Sequence, residues 1–385
     1  MAESAQARTI KVFVHLGHGF GGRTWADRHA LGLIPGLNDR LAYGYYHAAG
    51  NGWSVEYSQD ARETHVRRLC RLALRRVLGF DLIHAWRNRR RLFAADIVWT
   101  HTELENLAVL LLFRARSRRS RPKIIANCVW LFDYWPGLSW PRRVVYRELL
   151  RHTDALTTFS PANIKVAKTM LPGVRSEYIL WGATTEDLKR PDRSPMHHPL
   201  RIASLGSDIH RDWKTLIKAF GNRERYEVRI GSTRINPKLV AGVSNVALLS
   251  VATANDVKAL YEWADIVVVS LKPNLHASGI TVILESVILA VPLVCTDTGG
   301  LRAYFSPAEV CYVPASAPVA MRVAVEELAM GEERRSSMLV NAQQRLLAAN
   351  LTTKGFAERH RRLSEELLRQ DPKYSVVCGA ARRIA

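Results

Sequence analysis

The feature that most limits what this chain can fold into is a rhythm that runs twice. Short apolar runs of strand type occur at 10–16, 53–57, 96–100, 123–129, 155–159 and 177–180. Amphipathic stretches of helix length lie between them, near 64–78, 103–113, 139–151 and 161–171. Parallel strands need a crossover long enough to hold a helix, so this spacing predicts βαβ units and a parallel sheet. Pro191, Pro195 and Pro199, set among mixed charges, then break the pattern. It restarts with strands at 200–205, 226–230, 246–249, 266–270, 293–296 and 310–313 and helices near 212–221, 255–263, 280–290 and 318–329. Two helical stretches, about 333–350 and 354–369, close the chain. The expectation is an α/β protein with two doubly wound parallel-sheet domains, 1–183 and 200–353, joined by a linker at 184–199. A C-terminal helix and tail occupy 354–385, and the helix is expected to pack back on the first domain. In such sheets ligands sit at the carboxyl ends of the strands, here in a cleft between the domains.

Bulk properties narrow the class further. A chain of 385 residues exceeds what one hydrophobic core usually supports. No apolar run approaches the roughly 18 residues that span a bilayer, and residues 1–10 lack the apolar centre of an export signal, so a cytoplasmic protein is expected. The five cysteines stand singly, without zinc spacing, which predicts neither disulfides nor a metal site. The net charge of +20 is unevenly spread: residues 1–183 carry 28 Lys and Arg against 14 Asp and Glu. An excess of that kind points to an anionic partner for the first half. Its densest part reads as a basic amphipathic helix over 67–80, with Leu69, Leu72, Ala73 and Phe80 on one side and Arg68, Arg71 and Arg75 on another. Arg89, Arg90 and Arg91 follow closely. Such an element suits the anionic inner face of a cell membrane, each basic residue contributing about 1 kcal/mol. The same stripe could instead pack on the sheet and leave the arginines solvated. No nucleic-acid reader module is recognisable, so nucleic acid is not expected as a partner.

Two segments carry chemistry on their residues alone. The first strand runs into Gly17-His18-Gly19-Phe20-Gly21-Gly22, where Gly19, Gly21 and Gly22 would let backbone amides approach a sugar or an anion at a helix start. In the second half, a strand leads through His276 to Ser278-Gly279-Ile280-Thr281, which opens a helix bearing Glu285. Amides at that helix start would meet a pyrophosphate, and Glu285 would meet a ribose diol. Asp133 follows a strand within Trp130-Leu131-Phe132-Asp133-Tyr134-Trp135, a setting that could desolvate it and suit a general base. Neither a metal-binding Asp-x-Asp nor a P-loop occurs.

The stretch 264–300, with Gly279-Ile280-Thr281-Val282-Ile283-Leu284-Glu285, Val291-Pro292 and Gly299-Gly300, resembles the donor-binding core of family-4-type GT-B glycosyltransferases. That resemblance implies the GT-B architecture of two Rossmann-like domains facing a cleft. It assigns Glu285 to the nucleotide ribose; the first acid of the family's pair is replaced by Ala277, beside His276. Leu205-Gly206 through Ala219-Phe220 resembles the family's phosphate-binding segment, with Arg211 where the family has a lysine and His210 as a substitute for its companion arginine. The run 96–103 is similar to the family strand ending in a cleft histidine, here His101, able to hydrogen-bond the donor sugar. The position of Asp133 resembles that of the base in xanthan-type transferases of the inverting class.

The resemblance thus implies a metal-independent hexosyltransferase without a separate cofactor. It would move a hexose or uronic acid from a nucleoside diphosphate sugar, UDP favoured, to a glycolipid or oligosaccharide acceptor in bacterial-type exopolysaccharide synthesis, as a peripheral membrane protein. A sugar-nucleotide epimerase of the same fold, or a non-catalytic relative that binds membrane or nucleic acid, stays open as an alternative.

Overall fold

The computed structural model describes residues 8–191 and 195–371. The chain divides into two compact units: the first holds residues 8–27, 40–179 and 354–371, the second residues 28–39 and 180–353.

In the first unit the elements run β1 (Ile10–His15), α1 (Gly22–Ala30, whose last turn belongs to the second unit), β2 (Trp53–Tyr57), α2 (His65–Leu78), α3 (Leu82–Ala94), β3 (Ile97–Thr100) and α4 (Glu103–Phe113). They continue through β4 (Lys123–Asn127), the single turn α5 (Leu131–Tyr134), α6 (Trp140–Leu150), β5 (Ala155–Thr158), α7 (Pro161–Met170) and β6 (Ser176–Tyr178). The six strands form one parallel sheet in the order β2-β1-β3-β4-β5-β6, with Val12 opposite Ile97 and Val98 opposite Ile124. The order reverses between β1 and β3. β3 and β5 are buried on both faces, which explains why neither shows the in–out alternation of a half-exposed strand.

In the second unit β7 (Leu200–Leu205), α8 (Trp213–Phe220), β8 (Tyr226–Gly231), β9 (Val246–Leu249), α9 (Ala254–Trp263), β10 (Ile266–Val269) and α10 (Ile280–Ile288) are followed by β11 (Leu293–Thr296), β12 (Cys311–Val313), α11 (Pro318–Met330) and α12 (Glu332–Ala348). The parallel sheet has the order β12-β11-β10-β7-β8-β9, the arrangement of a dinucleotide-binding fold, and it reverses between β7 and β10. Ile202, Leu216, Phe220, Val228, Ile266 and Val268 fill its core. Fully burying side chains of this size contributes about 1.5–3 kcal/mol each. The last helix, α13 (Thr353–Arg369), packs in the first unit, where Trp99 Nε1 donates to Ser364 Oγ at 2.9 Å.

Three features differ from the sequence reading. α3 is a full helix, capped by Asp81, where the sequence shows only a basic run. The expected linker is pinned to the second unit: the Lys189 amide donates to Ile288 O at 2.8 Å and His197 meets Asp265 at 2.7 Å. Residues 28–39, assigned to the first domain by position, belong to the second unit.

Candidate functional site

At the reversal point of the second sheet, the loops after β7 and β10 are laced together. The Asp212 amide donates to Ser270 O at 2.9 Å, the Lys272 amide to His210 O at 2.7 Å, and Arg211 pairs with Leu271 as an isolated bridge. Asp212 caps α8 by accepting from the Thr215 amide and hydroxyl, at 3.1 and 2.7 Å. These contacts turn the Arg211 side chain inward. It is 5% exposed, and its guanidinium lies so close to Gly206 that a Cβ there would stand 2.2 Å from Nη2. Gly206 also has φ +123°, so both conformation and space demand glycine.

The same guanidinium reaches the start of α10. A Cβ on Gly279, the residue that opens this helix at φ +87°, would lie 3.1 Å from Arg211 Nη1. No side chain caps α10. The Ser278 amide is fixed by Asn274 Oδ1 at 3.2 Å, while the Ser278 hydroxyl, on a residue 3% exposed, meets no acceptor or donor. Arg211 Nε and Nη1 likewise have no partner. A buried cation with two unspent donors, beside an uncapped helix start and an unspent hydroxyl, is an arrangement that a bound anion completes. Burial holds the guanidinium below its usual range, and the Asp208 charge opposes that effect. Arg211, Ser278, Gly279 and Gly206 are therefore brought together as the sequence expects, with Ile280 and Thr281 in the first turn of the same helix.

Beside this cradle, Asp208 meets both candidate histidines: its Oδ1 lies 3.2 Å from His210 Nδ1 and its Oδ2 3.2 Å from His276 Nε2. Burial alone would raise the Asp208 carboxyl, but the two imidazoles overcome that and hold it far below the ordinary carboxylate range. No local pattern marks this group, since Asp208 and His276 are 68 positions apart.

Glu285 departs from expectation. Instead of lying open to a ribose diol, it is 4% exposed: Oε1 accepts from the Leu37 amide at 3.0 Å and Oε2 from the Tyr261 hydroxyl at 2.9 Å. Its carboxyl is raised by burial against the lowering effect of these bonds. The reason is the docking of residues 28–39 on the second unit, which brings Gly36 against the carboxylate.

In the first unit the glycine loop after β1 is not an anion nest. Its amides are spent internally: Gly19 and Gly21 donate to Asp60 at 3.0 and 3.1 Å, and Gly22 donates to Ser58 O at 2.9 Å. His101 stands at the carboxyl end of β3, buried, with Tyr43 stacked on it at 3.5 Å between ring centres and its Nδ1 3.0 Å from the Tyr45 hydroxyl. Burial, followed by the neighbouring His360, pushes its pKa well down, so the ring is neutral. Asp133, on the single turn α5, is half-buried rather than desolvated. The buried carboxyls at this end of the sheet are Glu103, which accepts from the Val129 amide at 3.0 Å, and Glu105, which burial raises to about 7. Glu105 reads in sequence as an ordinary capping-box acid of α4, and that is the signal which hid it.

The basic helix also turns out inverted. In α2 only Arg71 is buried, paired with Glu63 at 3.0 Å and Asp81 at 2.5 Å, so it faces inward and not toward a membrane. Leu69 and Val77 are 66% and 71% exposed. Arg68, Arg75 and Arg90 are exposed; Arg89 lies over the Trp86 ring and Arg91 pairs with Glu56 at 3.1 Å.

No protein-family profile matches the chain, and no curated protein matches it in sequence. In three dimensions it is similar to a sucrose-phosphate synthase from Thermosynechococcus elongatus, with TM-score 0.69 and 13% identity over 93% of this chain and 99% of the other. It is also similar to Anabaena HepE in complex with UDP and glucose, with TM-score 0.64 and 10% identity over 91% and 98%. An α,α-trehalose-phosphate synthase (UDP-forming) from Burkholderia vietnamiensis gives TM-score 0.61 and 11% identity over 92% and 100%. At such identities the likeness establishes the fold: two Rossmann-like α/β units of the GT-B type.

Proposed function

We propose that the chain is a glycosyltransferase of the hexosyl class that takes a hexose or uronic acid from a nucleoside diphosphate sugar, UDP-linked by preference. The observation that carries this reading is the pair of unspent Arg211 donors at the uncapped start of α10. It is supported by the similar structures: HepE is seen with UDP and with UDP-glucose, and the trehalose-phosphate synthase is UDP-forming. As the bond between the sugar C1 and the phosphate oxygen breaks, the electron pair stays on the departing diphosphate. Arg211 and the helix start take up that charge, so this step needs no metal. The acceptor hydroxyl forms the new bond to C1 and gives its proton to Asp133 if configuration inverts, or to the leaving phosphate if it is retained. His101, neutral, is suited to hydrogen-bond the sugar.

The acceptor is proposed to be lipid-linked or polysaccharide, met at the anionic inner face of the cell membrane. What supports this is a face on which α2 and α6 are tied together. Arg142 donates to the carbonyls of Arg76 and Val77 at 2.7 and 3.0 Å, and the Tyr146 hydroxyl to Leu78 O at 2.8 Å. Val66, Leu69 and Val77 on one helix and Trp140, Val144 and Val145 on the other remain exposed, among Arg67, Arg68, Arg75 and Arg76. Apolar side chains flanked by arginines suit an anionic lipid surface. No helix among the described residues is long and apolar enough to cross a membrane.

A thermal-shift series with UDP, GDP and uridine tests the donor assignment. UDP should raise Tm and uridine should not; if no nucleoside diphosphate shifts Tm, the transferase reading fails.

A further inference from the structure

We infer that Asp208, His210 and His276 form a binding site for a divalent ion of the zinc class, beside the anion cradle. One ligand atom from each of the three lies within 4.8 Å of the others. The carboxylate stands 3.2 Å from each imidazole nitrogen, and the two rings meet edge-on at 4.9 Å. Two ligands each about 2.1 Å from a tetrahedral ion stand about 3.4 Å apart, so the carboxylate–imidazole spacings of 3.2 Å already match, and binding asks only that the two imidazole nitrogens, within 4.8 Å of each other, draw in. Two imidazoles and one carboxylate are the donor set that borderline divalent ions prefer over magnesium or calcium, which favour oxygen alone.

The ligands are held before any ion arrives. Asp208 is oriented by the His210 amide, 2.7 Å from its Oδ1, and the His210 carbonyl is tied to the Lys272 amide across the loops. His276 is 3% exposed and sits two positions before Ser278. Three protein ligands leave at least one coordination position open, the mark of an ion that also takes an exogenous ligand. An oxygen of the anion in the neighbouring cradle is a ligand of the right chemistry. Arg211 and Ser278, both more than nine-tenths buried with unspent polar atoms, place that anion at the same loops. The ion therefore tightens diphosphate binding; this coupling rests on the donor reading above, whereas the ion site does not.

The test uses the full chain, stripped with chelator and titrated with Co2+ and Zn2+. Stoichiometric Co2+ binding with visible d–d absorption, displaced by Zn2+, is expected in the wild type. His276→Gln and Asp208→Asn should each weaken it by about 100-fold or more, because losing a direct ligand costs at least what losing an outer-shell partner does. His152→Ala serves as a control on a half-exposed histidine of the other unit and should bind as the wild type does. No absorption, or absorption unchanged in both variants while they melt as folded proteins, overturns the site. UDP isotherms with and without Zn2+ form the second arm. Tighter UDP binding with Zn2+ supports the coupling, and equal binding refutes it. If UDP does not bind at all while Co2+ does, the donor reading fails and the ion site stands.

Discussion

Replacing Arg211 with methionine should separate stability from binding in a way that no structural arginine would. In the free protein the guanidinium is buried with Nε and Nη1 unpaired, and unmet buried donors cost about 1–3 kcal/mol each. Methionine fills much of the same volume and removes that cost, as apolar replacements of buried ionic groups often do. The free variant should therefore melt at or a few degrees above the wild-type temperature, about 2–4 °C per kcal/mol for a unit of this size. UDP binding should move the other way. Hydrogen bonds to a charged group contribute about 1.5–3 kcal/mol each, so losing two weakens binding by at least about 3 kcal/mol, roughly 100-fold in Kd. Calorimetric titration and thermal melting of the same samples read both effects. A variant that melts several degrees lower and binds UDP as tightly as the wild type would refute the reasoning, making Arg211 a packing residue.

Other expectations follow from the same geometry. Glu285→Ala should destabilise the free protein by about 2–6 kcal/mol, because the Leu37 amide and Tyr261 hydroxyl lose their acceptor; unchanged urea unfolding would contradict this. Glu105, raised to about 7, keeps a proton in the folded state that the unfolded chain has lost, so its own contribution to stability should fall as pH rises from about 4.5 to 7. Glu105→Gln should flatten that part of a Tm–pH profile, and an unchanged slope counts against it. His360, lowered to about 4 by burial, acts in the opposite sense: its contribution is present above about 6.5 and is lost as pH falls toward 4. His360→Gln should melt with a shallower acid limb. Leu69→Glu with Val77→Glu, both on exposed positions, should abolish sedimentation with phosphatidylglycerol vesicles and leave Tm unchanged; undiminished sedimentation would remove α2 from the membrane face.

Much of the architecture was legible because the two periodicities are physical. β2, β7, β9 and β11 have the bounds that alternation and burial set in the sequence, and α4 begins at its capping box as a local signal should. α3 is hidden in the sequence because four arginines crowd it and its buried face, His84, Ala85, Asn88 and Leu92, is half polar. The cradle could be read because it is built from contiguous segments, Gly206–Arg211 and Ser278–Gly279, each a strand-to-helix turn. What could not be read depends on contacts between distant positions. Asp60 satisfies the glycine-loop amides from about forty residues away. Leu37 meets Glu285 across 248 positions, and Asp208 meets His276 across 68. Arg71 sits on the basic stripe by periodicity, yet it faces inward because Glu63 and Asp81 pair with it, a choice no helical wheel records.

The most direct measurement is a crystal structure of the chain with UDP. Diphosphate oxygens should lie within hydrogen-bond distance of the Arg211 guanidinium, the Ser278 hydroxyl and the first amides of α10. A diphosphate bound elsewhere, with the Arg211 donors still unmet, would contradict the account.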